Sequence, residues 1–230
     1  MSGLIPQELG GLTSLNELDL SSNNLIGVIP TSLGNLSNLT FLYLYGNQLS
    51  GSIPQELGML SSLTDLELST NNLTGTIPTS LGNLSNLTTL YLYENQLSGS
   101  IPQELGMLSS LTNLELSINS LTSTIPASLG NLSHLTTLSL HTNQLSSSIP
   151  QELGMQSSLS ELDLSTNNLI GVIPTSLGNL SILNNLCLQK NHLYGTIPTS
   201  LGNLRNLTTL YLHLFEGREL NWELAMESTR

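Results

Sequence analysis

The sequence predicts an open solenoid of the α/β repeat class: a right-handed coil of 24-residue turns with a parallel β-sheet on its concave side. Three observations predict it. Ile-Pro pairs begin at Ile5, Ile29, Ile53, Ile77, Ile101, Ile125, Ile149, Ile173 and Ile197, and these hold all 9 prolines of the 230-residue chain. Leucines keep the same beat, as in Leu33, Leu36, Leu39, Leu42, Leu44 and Leu49. An asparagine recurs in register at Asn23, Asn47, Asn71, Asn95, Asn119, Asn143, Asn167 and Asn191. A fixed period of this length belongs to stacked repeats, each too small to bury its own apolar face.

The strand comes first. Leu42-Tyr43-Leu44 alternates with period two, so both leucines share one face, and equivalent strands are expected around Leu18–Leu20 and at each 24-residue step. Stacked turns pair these strands about 4.8 Å apart. The asparagine that follows suits a sharp turn inside the stack. Its side chain offers both a carbonyl and an amide to backbone groups that have no ladder partner. Gly27, Gly51, Gly75, Gly99, Gly171 and Gly195 precede the Ile-Pro pairs, where a positive φ is expected, and Ser123 and Ser147 replace that glycine in two turns. After each proline the wider leucine spacing suits a turn or short 3₁₀ segment. Gln156 stands where eight equivalent positions carry leucine, so it should be a buried amide and a weak point.

The pattern Leu39-x-x-Leu42-x-Leu44-x-x-Asn47-x-Leu49-x-Gly51-x-Ile53-Pro54-x-x-Leu57-Gly58 resembles the plant-type leucine-rich repeat of receptor-like kinase and receptor-like protein ectodomains. The resemblance covers residues 3–213. It implies a leucine-rich-repeat solenoid acting as an extracellular recognition module for a peptide or protein, with a co-receptor as a further partner. In full-length relatives a membrane span and a kinase domain would follow. Neither lies in this sequence, and the paired-cysteine caps usual in such ectodomains are also missing. The other reading is a secreted, kinase-free repeat protein that inhibits a cell-wall hydrolase or acts structurally, or a truncated product without function.

The repeat is expected to occupy residues 1–213. It breaks after Leu212, so residues 214–230 form a separate tail, read either as a short amphipathic helix covering the core or as an unrelated segment. A 48-residue period overlies the first: Pro-Gln-Glu-Leu-Gly turns alternate with Pro-Thr-Ser-Leu-Gly or Pro-Ala-Ser-Leu-Gly turns.

The net charge is −12, and no Lys or Arg precedes Lys190. Nucleic acid and anionic lipid both require cationic side chains, so neither is an expected partner. No apolar run reaches the ~20 residues that span a bilayer, and no signal peptide is read at the N-terminus. One cysteine, Cys187, makes an internal disulfide impossible and reads as an incidental thiol.

Residues flanking the paired leucines face the concave side. Acidic rungs (Glu17 and Asp19, Asp65 and Glu67, Glu115) alternate with aromatic ones (Phe41, Tyr43 and Tyr45, then Tyr91 and Tyr93). Rings of this kind anchor a ligand at low entropic cost, and the carboxylates favour Lys or Arg on it. These ten residues are the candidate binding set for a peptide or protein ligand of basic character. Asp65 and Glu67, about 7 Å apart along a strand, have the spacing of a glycosidase pair. Similar acid pairs recur on other rungs, and nothing there separates their acidities, so no enzyme activity is expected. The histidines form no ligand-spaced pair, and no phosphate-binding loop occurs; no metal or cofactor is expected. Eight Asn-x-Ser/Thr sequons, at Asn35, Asn38, Asn72, Asn83, Asn86, Asn131, Asn179 and Asn206, all lie outside the leading strands, so glycans there would leave the concave sheet clear.

Overall fold

The computed structural model describes residues 1–213. The expectations for residues 214–230 lie outside the described residues. Nine three-residue strands, from Glu17–Asp19 and Phe41–Tyr43 through to Thr209–Tyr211, form one parallel sheet in strict sequence order. Each residue pairs with the one 24 positions on: Leu18 with Leu42, Leu42 with Leu66, Leu66 with Leu90. The strands begin one residue earlier than the Leu-x-Leu reading placed them, so Leu44 and its equivalents fall just beyond the strand end. Within the stack they are buried all the same: Leu42, Leu44, Leu66 and Leu68 are fully inaccessible to solvent, whereas Leu20 and Leu212 in the end turns are only partly buried.

Every Ile-Pro pair leads into a five-residue 3₁₀ helix, such as Thr31–Asn35 and Gln55–Met59. Proline is suited to the position before it, since its fixed φ near −65° is compatible with an extended entry and it has no N–H to leave unpaired. Gly34, inside the helix, never varies along the chain for a steric reason. A Cβ there would lie 2.5 Å from the carbonyl oxygen of Glu56 in the next turn. Gly82 meets Glu104 in the same way, so consecutive 3₁₀ helices pack backbone to backbone.

Between the concave strand and the Ile-Pro pair lies a feature absent from the sequence reading. Short second strands, such as Gln48–Ser52 and Asn72–Thr74, pair in small parallel sheets. Here the partner is 22 residues away rather than 24, as with Ser52 and Thr74. The expected positive φ is present at Gly27 (80°), Gly51 (74°) and Gly75 (77°), and Ser123 and Ser147 adopt it as well, at 69° and 68°.

The core is a single column of leucine and isoleucine through all turns. Fully burying a leucine stabilises by roughly 1.5–3 kcal/mol, but one turn gains this only when the next covers it. Inter-turn hydrogen bonds fix the stack. Asn47 Nδ2 donates to the Leu20 carbonyl of the preceding turn at 2.9 Å and to its own Leu44 carbonyl at 3.1 Å, while its Oδ1 accepts the Leu25 N–H at 3.0 Å. A hydroxyl ladder runs beside the concave strands: Thr64 Oγ1 donates to the Thr40 carbonyl, and Thr88 Oγ1 to that of Thr64, each at 3.0 Å. The 48-residue period has a structural counterpart. Ser32, Ser80, Ser128 and Ser176, in the Pro-Thr-Ser or Pro-Ala-Ser turns, donate their hydroxyls back to the carbonyls of Gln7, Gln55, Gln103 and Gln151 in the preceding Pro-Gln-Glu turns, while Ser200, which follows another Pro-Thr-Ser turn, donates to Thr175.

Candidate binding face

The concave sheet positions the ten candidate residues because leucine must point inward. With Leu42 and Leu66 buried, pleating turns Phe41, Tyr43, Asp65 and Glu67 outward on the same face. Tyr45 and Tyr93 lie just past the strands but remain in ring contact with them. Tyr43 and Tyr45 have centroids 6.4 Å apart, Phe41 and Tyr43 6.0 Å, and Tyr91 and Tyr93 6.0 Å, all tilted. Phe41, Tyr43, Tyr45, Tyr91, Tyr93, Asp65, Glu67 and Glu115 are half-buried, whereas Glu17 and Asp19, at the first strand, are exposed.

Strand register places acids and rings side by side. Glu17 lies opposite Phe41, which lies opposite Asp65; Asp19 lies opposite Tyr43, Tyr43 opposite Glu67, Glu67 opposite Tyr91, and Tyr91 opposite Glu115. Burial pushes the Glu67 carboxyl up, and the charges of Asp65, Asp19 and Glu115 push it further. Burial likewise raises Glu115, with Glu161 adding to the rise and His141 opposing it. The Tyr43 and Tyr91 phenols are raised by burial and then by the surrounding carboxylates. Asp19 goes the other way, lowered by the hydroxyl and backbone N–H of Ser21 at 2.6 and 2.9 Å. The Thr64 hydroxyl lies 2.6 Å from Asp65 and 3.0 Å from the Thr40 carbonyl, so its single proton is shared between the two acceptors. The face is thus an array of partly desolvated negative charge between flat apolar rings.

Cys187 sits on the same face, its thiol raised by burial and by Asp163 and Glu161, which makes it a poor nucleophile. The eight sequon asparagines are all exposed. Asn35, Asn83, Asn131 and Asn179 end 3₁₀ helices, away from the concave sheet. Asn38, Asn86 and Asn206 each use Nδ2 to hold a carbonyl of the preceding turn. Sequence reasoning passed over Met59, Met107 and Met155, exposed on the same ridge in alternate turns. Their 48-residue spacing was the available signal. Among the described residues no helix is long and apolar enough to cross a membrane.

The model of the leucine rich repeat family matches residues 4–49, 61–121 and 109–169. No curated protein matches the chain. Among solved structures, a TDR receptor is similar over 93% of this chain and 37% of its own, with 40% identity and a TM-score of 0.90. The Arabidopsis receptor kinase HAESA, solved in complex with the peptide hormone IDA and the co-receptor SERK1, is 39% identical over 92% of this chain and 36% of its own, with a TM-score of 0.88. A plant ice-binding protein is 31% identical over 86% of this chain and 71% of its own, with a TM-score of 0.67. The chain therefore spans little more than a third of the two receptor structures. Family match, receptor likeness and the observed stack of strands and 3₁₀ helices agree: this chain belongs to the leucine-rich repeat family and is built on the pattern of plant receptor-kinase ectodomains.

Proposed function

We infer that the chain is a non-enzymatic recognition module that binds an extended peptide, or a peptide-like segment of a protein, on its concave sheet. The observation that carries this reading is the side-by-side placement of half-buried rings and carboxylates on a sheet face otherwise free of Lys and Arg. Phe41, Tyr43, Tyr45, Tyr91 and Tyr93 supply apolar area. Glu17, Asp19, Asp65, Glu67 and Glu115 select a cationic ligand and speed its approach. The rings should dominate affinity, because exposed ion pairs contribute only about 0–1 kcal/mol each. Similarity to HAESA, whose complex holds a peptide hormone and a co-receptor, supports a peptide ligand and leaves another surface for a second protein. An extracellular setting agrees with that likeness. Glycans at the eight sequons would then lie off the concave sheet.

Selection of a random peptide display library on the full chain tests this reading. Enrichment of sequences combining Lys or Arg with apolar residues is expected, and Tyr43→Ala and Tyr91→Ala should each lower the affinity of the selected peptides at least tenfold. Binding that survives both substitutions places the interface elsewhere. Association rates that stay flat as salt rises to physiological strength would remove the electrostatic part.

A further inference from the structure

We propose that the line Asp19–Tyr43–Glu67–Tyr91–Glu115 measures ligand spacing, selecting a segment in polyproline II conformation with Lys or Arg at every third residue. This rests on the concave-face reading above and specifies its ligand.

The line is set by strand register, each of its members lying directly opposite the next. Carboxylate and phenol therefore alternate across the strands. Adjacent members are separated by about 4.8 Å, so carboxylates recur every ~9.6 Å. A ligand lying along the line must present its cations at that interval. A polyproline II segment rises ~3.1 Å per residue with three residues per turn, so residues i and i+3 share a face about 9.3 Å apart. An extended β segment places same-face residues about 6.8 or 13.5 Å apart, and neither distance fits. A helix offers i and i+7 at about 10.5 Å, but also presents i+3 and i+4 to the same surface. Polyproline II presents nothing between its cations, so each tyrosine ring is left free for the aliphatic stem of Lys or Arg, or for an intervening proline edge. Aromatic-lined grooves take this conformation at low entropic cost because the ligand is already stiff.

Charge agrees with the geometry. On the same sheet face the line is flanked by Glu17, Phe41, Asp65, Thr89 and Asn113 on one side and by Tyr45, Ser69, Tyr93 and Ser117 on the other, with no Lys or Arg among them; Asp65 adds to the negative charge at Glu67, and His141 is the base acting on Glu115. Glu67 and Glu115 are half-buried among further carboxylates, so a cation seated between them relieves an existing repulsion. Beyond Glu115 the line reaches Ser139, where the alternation ends. Three carboxylates thus define sites for i, i+3 and i+6, a segment of about seven residues.

The test uses fluorescent nonapeptides of identical composition, three Arg and six Pro, bound to the full chain and read by anisotropy. One carries Arg at every third position, one at alternate positions, and one in a single block. A fourth, Ala-rich helical peptide carries Arg seven residues apart. The every-third peptide should bind at least tenfold more tightly than its isomers, and Glu67→Gln or Glu115→Gln should each cut that preference to less than threefold. Unchanged unfolding midpoints or small increases in these isosteric variants show that they remain folded. Equal binding of the isomers, or tighter binding of the helical peptide, overturns the spacing proposal. If those peptides nevertheless lose affinity in Tyr91→Ala, the concave-face reading stands while the spacing falls. If binding ignores Tyr91→Ala altogether, both fall.

Discussion

Asn71 holds Leu49 of the preceding turn: its Oδ1 accepts the Leu49 backbone N–H at 3.0 Å, across 22 residues of sequence. The same side chain donates through Nδ2 to the carbonyls of Leu44, Leu68 and Ser69, at 3.0 to 3.2 Å. One amide thus serves four buried backbone groups in two turns. Asn71→Ala leaves the buried Leu49 N–H without its partner, while the Leu44 and Leu68 carbonyls keep Asn47 and Asn95 and the Ser69 carbonyl keeps the Gly46 N–H; one buried unsatisfied group costs about 1–3 kcal/mol. A loss of about 1–3 kcal/mol is expected in denaturant unfolding. Its neighbour Asn72 is exposed, and Asn72→Ala should shift stability by less than about 0.5 kcal/mol.

Gln156 is the opposite case. It is 2% exposed, its Nε2 donates to the Leu129 carbonyl at 2.6 Å, and its Oε1 is buried without a partner. Leu132 and Leu180, its equivalents in adjacent turns, are wholly apolar and buried. Gln156→Leu is expected to raise stability by about 1 kcal/mol, the lost hydrogen bond offsetting part of the relief from burying Oε1. A fall in the unfolding midpoint would show that Leu129 depends on the amide.

Ser123 and Ser147 occupy the left-handed region at positions where other turns place glycine. A Cβ in that conformation costs about 1–3 kcal/mol, while glycine gives back some entropy to the unfolded chain, about 0.4–1 kcal/mol. Ser123→Gly and Ser147→Gly should therefore each stabilise by roughly 0.5–1 kcal/mol. Gly75→Ser, at φ 77°, should cost a similar amount. Thermal midpoints of the three variants check all three signs.

The acidic face should make stability depend on pH in a particular sense. The Glu67 and Glu115 carboxyls are raised by burial and by neighbouring carboxylates, so between the unfolded value of about 4.3 and their raised values the native state binds more protons. Stability therefore rises as pH falls into that window, and is lost again as pH climbs through the raised values. Asp19, lowered and exposed, contributes weakly in the opposite direction. Glu67→Gln should raise the midpoint at pH 7 and flatten the difference between pH 7 and pH 5. Cationic ligand binding should show the reverse trend, weakening as pH falls, because protonation removes the charge that the ligand meets.

The period of 24 and the leucine alternation were enough to place the concave strands to within one residue, the 3₁₀ segments, the inward asparagines and the left-handed glycines. Each is a local consequence of side-chain type: leucine must be buried, asparagine can serve both donor and acceptor, and glycine tolerates positive φ. The same alternation placed the candidate rings and acids outward on one face. The second strands stayed hidden because Gln48–Ser52 carries only one buried leucine, Leu49, too few for a period of two to be visible. Hidden too were the Thr40–Thr64–Thr88 hydroxyl ladder and the backbone contact that excludes a side chain from Gly34. Those depend on how closely one turn approaches the next, a distance set by packing of the whole stack. The sequence alone therefore determined what each turn must bury and expose. Only the stacked structure decided which residues of different turns stand opposite one another, bringing Glu67 between Tyr43 and Tyr91.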